Sequence, residues 1–192
     1  MERRPRPRSA REPVRVIAGS RRGARLTAPR GRAVRPTSDR VREALFSILG
    51  PDLVDGARVL DLFAGSGAMA IEALSRGAAD ATLVDSSAAS VAAIRRNLSS
   101  LGVQAEVRRQ DALAYLRGAS RDARQYDLVF LDPPYRHAGA LGIELSAALG
   151  PVLALDARVV AESDRRVPLE LALVLLDERR YGDTLIRIHG SR

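Results

Sequence analysis

Cysteine is absent from the 192 residues. That excludes disulfides, thiolate metal sites and every cysteine nucleophile. Lysine is absent as well, for all 31 basic residues are arginine. A P-loop lysine, a Schiff base and a lysine general base are therefore ruled out. The only histidines are His137 and His189, too few for a histidine-built metal site, and no metal is expected. No apolar run approaches the ~18 residues a membrane span needs. The longest, Leu171 to Leu176, is strand-sized. The arginine-rich start of the chain has no apolar segment behind it, so no secretory signal is expected and the cytoplasm is the expected compartment. What remains is chemistry on carboxylates, backbone groups, tyrosine and arginine, or on a borrowed cofactor.

The length suits one domain with a short appendage, and 46% apolar with 28% charged residues is ordinary for a globular chain. The net charge of +8 is unevenly spread. Residues 1–42 hold 14 arginines against three acids, Glu2, Glu12 and Asp39, while residues 43–192 hold 17 arginines against 20 acids. A basic arm on a mildly acidic body points to a polyanion, because the guanidinium fork pairs phosphate bidentately. A general preference for arginine over lysine would not place the charge at one end.

Residues 1–13 carry almost nothing apolar and are expected to be a disordered basic tail. Val14–Gly19 and Ala24–Ala28 alternate weakly around Ser20-Arg-Arg-Gly23, which predicts a β-hairpin with an arginine-rich tip. Ser38 is placed to cap a helix whose apolar residues Val41, Leu45, Ile48 and Leu49 run to the Gly50-Pro51 stop. Residues 14–50 thus form an RNA-contacting extension, and 51–192 the catalytic domain. From residue 57, strands at 58–63, 81–84, 105–108, 127–131 and 158–161 alternate with helices at 68–76, 88–101, 112–117 and 139–149. That alternation implies a parallel sheet covered on both faces. The chain closes with two strands, 169–179 and 184–189, around Tyr181-Gly-Asp183, and no helix between them, an antiparallel hairpin added to the sheet edge. The expected fold is α/β and Rossmann-like: a mostly parallel seven-stranded sheet of the class I methyltransferase layout.

Val59-Leu-Asp-Leu-Phe-Ala-Gly-Ser-Gly67 is an apolar strand running into a glycine turn that opens a helix. Ligands sit beyond the carboxyl ends of such strands. Gly65-x-Gly67-x-x-Ala70, with Asp85 following 20 residues after Gly65, also fits a dinucleotide fingerprint. Asp61, inside the strand end, suits a cationic ligand better than a pyrophosphate. S-adenosylmethionine has no phosphate and carries an ammonium and a sulfonium. Asp85 and Asp111 close the next two strands. One can accept both ribose hydroxyls and the other an adenine amino group, although Asp111 could simply cap its helix.

Tyr126-Asp-Leu-Val-Phe-Leu-Asp-Pro-Pro-Tyr135 is the most specific signal. Its prolines end the strand and stiffen the loop. The Asp132 carboxylate and the Pro133 carbonyl become fixed acceptors for the two N–H bonds of an exocyclic amine. Tyr135 can stack on an extruded base.

Arg15-Val-Ile-Ala-Gly-Ser-Arg-Arg-Gly23, Arg35-Pro-Thr-Ser-Asp-Arg-Val-Arg-Glu-Ala-Leu-Phe-Ser-Ile-Leu49, Asp61-Leu-Phe-Ala-Gly-Ser-Gly-Ala68, Glu72-Ala-Leu-Ser-Arg-Gly-Ala78 and Asp132-Pro-Pro-Tyr135 together resemble the RsmD family. These are bacterial 16S rRNA methyltransferases acting on guanine N2 at rRNA position 966. The resemblance runs from about Val14 to His189. It implies S-adenosylmethionine as methyl donor and Thr37, Arg40 and Phe46 as an N-terminal cofactor motif. Asp61, Phe63, Ala64, Gly65 and Gly67 would form the methionine-side loop, with Asp85 at the ribose and Asp111 and Ala112 at the adenine. Asp132, Pro133, Pro134 and Tyr135 would hold the guanine, Asp132 also facing the cofactor. Arg15, Arg21, Arg22 and Arg25 are expected to grip phosphates of 16S rRNA within an assembled or partly assembled small subunit, with the enzyme a monomer. The chain departs from the family at Ala70, where glycine is usual, and at Asp85, where glutamate is common and reaches further. The competing readings are a DNA adenine-N6 methyltransferase, for which little chain is left to recognise a sequence, an NAD-dependent oxidoreductase, which leaves Asp61 and Asp132–Tyr135 without a task, and a non-catalytic RNA-binding assembly factor.

Overall fold

The computed structural model describes residues 14–29, 38–134 and 138–191, and of 138–140 the backbone alone. The proposed tail, Thr37 and Tyr135 lie outside the described residues. Among them are the strands β1 (Arg58–Leu62), β2 (Asp80–Asp85), β3 (Glu106–Arg109), β4 (Tyr126–Leu131), β5 (Leu153–Asp164), β6 (Val174–Tyr181) and β7 (Thr184–Gly190). They form one sheet in the order β3-β2-β1-β4-β5-β7-β6. The first five are mutually parallel, and β7 runs antiparallel between β5 and β6. The central strands are apolar on both faces because both are covered. Val59 belongs to one buried cluster with Ile71, Leu83 and Phe130, while Leu60 and Leu62 belong to another with Leu116, Leu145 and Val159.

The helices are α1 (Asp39–Leu49), α2 (Pro51–Val54), α3 (Ala68–Ser75), α4 (Ala88–Leu101), α5 (Ala112–Arg121) and α6 (Ala138–Leu149). Ser38 caps α1, accepting from Val41 N at 3.3 Å, as its position predicts. Ser87 caps α4 through Ser90 N, and Gly102 ends that helix in the left-handed conformation. The largest departures from the sequence reading are in the C-terminal third. β5 starts at Leu153 rather than 158, with Asp156 at φ 61° and a register shift against β4 between Tyr126 and Leu128. β6 starts at Val174 rather than 169. Leu169 is apolar because it is fully buried in the second cluster, not because it lies in a strand.

The N-terminal segment is the least regular. The expected hairpin narrows to one antiparallel bridge, Arg15 with Arg25, around a 3-10 turn at Gly19–Arg21. Backbone bonds from Leu26 N–H to Val14 O, Val16 N–H to Ala24 O and Gly23 N–H to Val16 O flank that bridge, and side chains of helices hold the segment's other backbone groups. Glu72 on α3 accepts Ile17 N at 2.7 Å and Ala18 N at 3.0 Å. Ser75 Oγ accepts Arg21 N and donates to Ala18 O. Val14, Val16 and Leu26 share the cluster of α1 and the sheet, so the segment closes the common core. Gly19, at φ 80°, lies so close to Ser75 that a Cβ would stand 1.7 Å from its carbonyl oxygen.

Candidate active site

β1 and β4 are parallel neighbours with Leu62 opposite Leu131. The two loops that matter leave these strand ends side by side, their roots about 4.8 Å apart. From β1 runs the glycine loop. Phe63, Gly65 and Gly67 all have positive φ, 63°, 56° and 79°. For a phenylalanine that conformation is strained, and such strain concentrates at functional sites. Ala64 N–H donates to Val84 O at 3.1 Å, and Ala64 O accepts Gly67 N–H at 2.7 Å. Gly67 has no space for a side chain, since a Cβ would lie 2.8 Å from Leu83.

Two carboxylates sit beneath this loop. Asp61 is buried and accepts Ala70 N–H at 3.2 Å. Burial, against that single backbone bond and with Asp85 nearby, pushes its pKa up to about 7. Asp85 accepts Gly65 N–H on one oxygen at 2.9 Å and Ser87 N–H on the other at 2.8 Å. Each oxygen keeps a further acceptor position, an arrangement matched to a vicinal diol. Asp111 caps α5: Oδ1 accepts both Leu113 N–H and Ala114 N–H, leaving Oδ2 for an outside donor. Ala112 follows, buried in the second cluster. Acids at three successive strand ends, with a constricted glycine turn, fit a ligand with an ammonium and sugar hydroxyls.

From β4 leaves Asp132-Pro133-Pro134, with Asp132 half-buried, Pro133 buried and Pro134 exposed. One carboxylate went unnoticed in the sequence. Leu131 pairs with Ala161, so Asp132 and Glu162 follow on neighbouring strands, and Glu162 is buried. The available signal was a Glu closing the apolar run Val159-Val-Ala161, as Asp61 and Asp132 close theirs.

Other expected residues scatter. Arg40 is exposed near the start of α1. Phe46 is 2% exposed, its ring 5.8 Å from Phe130 and capped by the Arg76 guanidinium at 4.7 Å. It anchors α1 to β4 two residues before the Asp132 loop. The four arginines divide. Arg15 bridges Arg25 and pairs with Asp39 at the start of α1 at 2.8 Å, towards the glycine-loop end of α3. Arg21 ends and Arg22 follows the turn held by Ser75, the last residue of α3, a helix about 12 Å long.

The sheet order and the paired loops define a class I methyltransferase fold. The family model described as "Conserved hypothetical protein 95" matches residues 14–190, and the chain belongs to this family, the RsmD family of its motifs. It is 38% identical over 184 residues to "Putative rRNA methyltransferase YlbH" of Bacillus subtilis, covering 93% of this chain and 100% of that protein. It is 44% identical over 124 residues to "Ribosomal RNA small subunit methyltransferase D" of Escherichia coli, covering 64% of this chain and 61% of that protein. Among solved structures, "Putative methyltransferase yhhF" of Escherichia coli superposes with a TM-score of 0.79 at 35% identity, covering 93% of this chain and 97% of that one. Among the described residues no helix is long and apolar enough to cross a membrane. No group of three His, Asp or Glu side chains among them could hold a metal ion.

Proposed function

We propose that this chain methylates small-subunit ribosomal RNA, transferring a methyl group from S-adenosylmethionine to the exocyclic N2 of a guanine in 16S rRNA, position 966 by family resemblance. The observation that carries the reading is the emergence of the glycine loop and the Asp-Pro-Pro loop from adjacent strands, Leu62 opposite Leu131. Relatives named for rRNA methylation support the substrate class. The cofactor supplies an electrophilic methyl on a sulfonium, so the protein's task is positioning.

Asp61 offers a buried carboxyl to the ammonium end, Asp85 the two acceptors for a diol, and Asp111 Oδ2 an acceptor for an amino group. Gly65 and Gly67 supply the positive φ that the turn of this loop requires. On the acceptor side, the Asp132 carboxylate and Pro133 carbonyl take the two N–H bonds of the guanine amine and direct its lone pair. The nitrogen gains one bond to the methyl carbon, whose bond to sulfur breaks, and sheds one proton to solvent or through Asp132. Such orientation is worth up to about 7–11 kcal/mol over a bimolecular encounter. The base must leave its stack to reach this pocket, and Tyr135, next in the sequence after Pro134, supplies the stacking surface. Arg15 and Arg25 supply positive charge for phosphates.

The test is label transfer from S-adenosylmethionine to three acceptors: small subunits lacking the modification, naked 16S rRNA and duplex DNA. Incorporation into the first, or the first two, supports the reading. Incorporation into DNA alone replaces it with a DNA enzyme, and none in any, despite cofactor binding, with an assembly factor.

A further inference from the structure

Asn97 lies in the third turn of α4, 1% exposed, where a polar side chain is costly unless bonded. Both amide protons and one acceptor position of the oxygen are used. Its Oδ1 accepts Thr27 N–H at 2.8 Å. Its Nδ2 donates to Thr27 O at 3.1 Å and to Ser66 O at 2.9 Å. The first bond fixes the amide orientation, because only the oxygen can face a backbone N–H. Asn97 therefore pairs with Thr27 as a strand residue would, and with its remaining proton grips the glycine loop.

Ser66 O is a sensitive place to hold. In a trans peptide the carbonyl and the following N–H point in opposite directions. Ser66 O goes to Asn97, and Gly67 N–H goes to Ala64 O at 2.7 Å. One peptide plane is thus pinned from both sides, next to Gly67, whose glycine backbone at positive φ would otherwise let it rotate. Glu72 and Ser75 also hold the N-terminal segment, through Ile17, Ala18 and Arg21, but their bonds do not reach the loop.

We infer that Asn97 is a positioning residue for the cofactor loop, setting the Ser66–Gly67 peptide and tying its geometry to the docked segment that carries Arg15 and Arg25. This rests on the cofactor site proposed above. Loop and segment share one amide, so cofactor affinity depends on Asn97 in a way it does not depend on the other docking side chains.

The test compares Asn97→Ala with Ser75→Ala, each well below its melting temperature, with S-adenosylhomocysteine binding followed by calorimetry. Both variants lose bonds to the N-terminal segment, and both should melt lower. Asn97→Ala is expected to weaken binding about tenfold and to raise the KM for the methyl donor more than it lowers kcat. Ser75→Ala should change binding less than twofold. Unchanged affinity in folded Asn97→Ala, or equal losses in the two variants, would overturn the inference. If Asn97→Ala does not fold, Asn97→Asp serves. Its carboxyl keeps the acceptor for Thr27 and, only when protonated, a donor for Ser66. Its affinity relative to wild type should then recover from pH 8 to pH 5.5, and a flat ratio would overturn the inference. Absence of binding by the wild type would defeat the cofactor reading itself.

Discussion

Raising the pH from 4 to 8 should weaken this fold through Asp61, and the size follows from its surroundings. The carboxyl is buried beneath the glycine loop with one backbone donor, Ala70 N–H at 3.2 Å, and its pKa rises from 3.8 to about 7. In the native state it therefore keeps its proton in a range where the unfolded chain has lost it. Stability rises with pH only where the unfolded state binds more protons; here the native state does, so stability falls. The loss begins near pH 4, accumulates to about pH 7 and is constant above. At 1.36 kcal/mol per pKa unit, the ionised form costs at most on the order of 4 kcal/mol. Asp61→Asn keeps an acceptor for Ala70 N–H without a charge. The measurement is urea unfolding of both proteins from pH 4 to pH 8.5, reading the difference between them so that other titrating groups cancel. The two should be close at pH 4, and the variant more stable by up to about 4 kcal/mol at pH 8. A constant difference across the range would refute the argument that Asp61 is buried and proton-binding in the free protein.

Gly67→Ala must place a side chain at φ 79° with its Cβ 2.8 Å from Leu83; strain and overpacking should together cost about 2–4 kcal/mol, read as a lowered urea midpoint and lost cofactor binding. Asp132→Ala should abolish methyl transfer while leaving S-adenosylhomocysteine affinity within a few-fold of wild type, by calorimetry beside a turnover assay; equal loss of both would remove Asp132 from the acceptor side. The arginines should separate by place. Replacing Arg15 and Arg25 is expected to reduce the salt slope of rRNA binding by about 0.7 per lost phosphate contact and to lower turnover. Replacing Arg21 and Arg22, beyond the far end of α3, should leave turnover on a short rRNA fragment nearly unchanged.

The alternation from β1 to β4 is legible because buried parallel strands are continuous apolar runs and the helices carry caps, as at Ser38 and Asp111. The candidate site is legible for the same reason: Asp61, Asp85 and Asp132 each break an apolar strand at its carboxyl end, where a charge needs a task. The N-terminal hairpin is legible in its alternation, and the Arg15–Arg25 bridge forms, but its docking is not. That is set by Glu72, Ser75 and Asn97, which in the sequence are polar residues within helices and give no sign that they hold another segment's backbone. Phe46 enters through the family motif, and its packing on Phe130 and Arg76 is not legible in the sequence. The arginine-rich tip is legible as a basic turn but its place is not: Gly19 packs closely on Ser75, which sets Arg21 and Arg22 at the C-terminal end of α3. Glu162 closes the apolar run Val159–Ala161, but only the register of Leu131 with Ala161 shows that Glu162 comes next on β5 where Asp132 comes next after β4.

The central claim is a methyl group on the exocyclic nitrogen of a small-subunit guanine. The direct measurement is nucleoside mass spectrometry of 16S rRNA from small subunits incubated with the protein and labelled S-adenosylmethionine. The subunits come from cells lacking the modification, and Asp132→Ala serves as control. The account predicts labelled N2-methylguanosine with the wild type and none with the variant. Label in N6-methyladenosine, or label that survives Asp132→Ala, would contradict it.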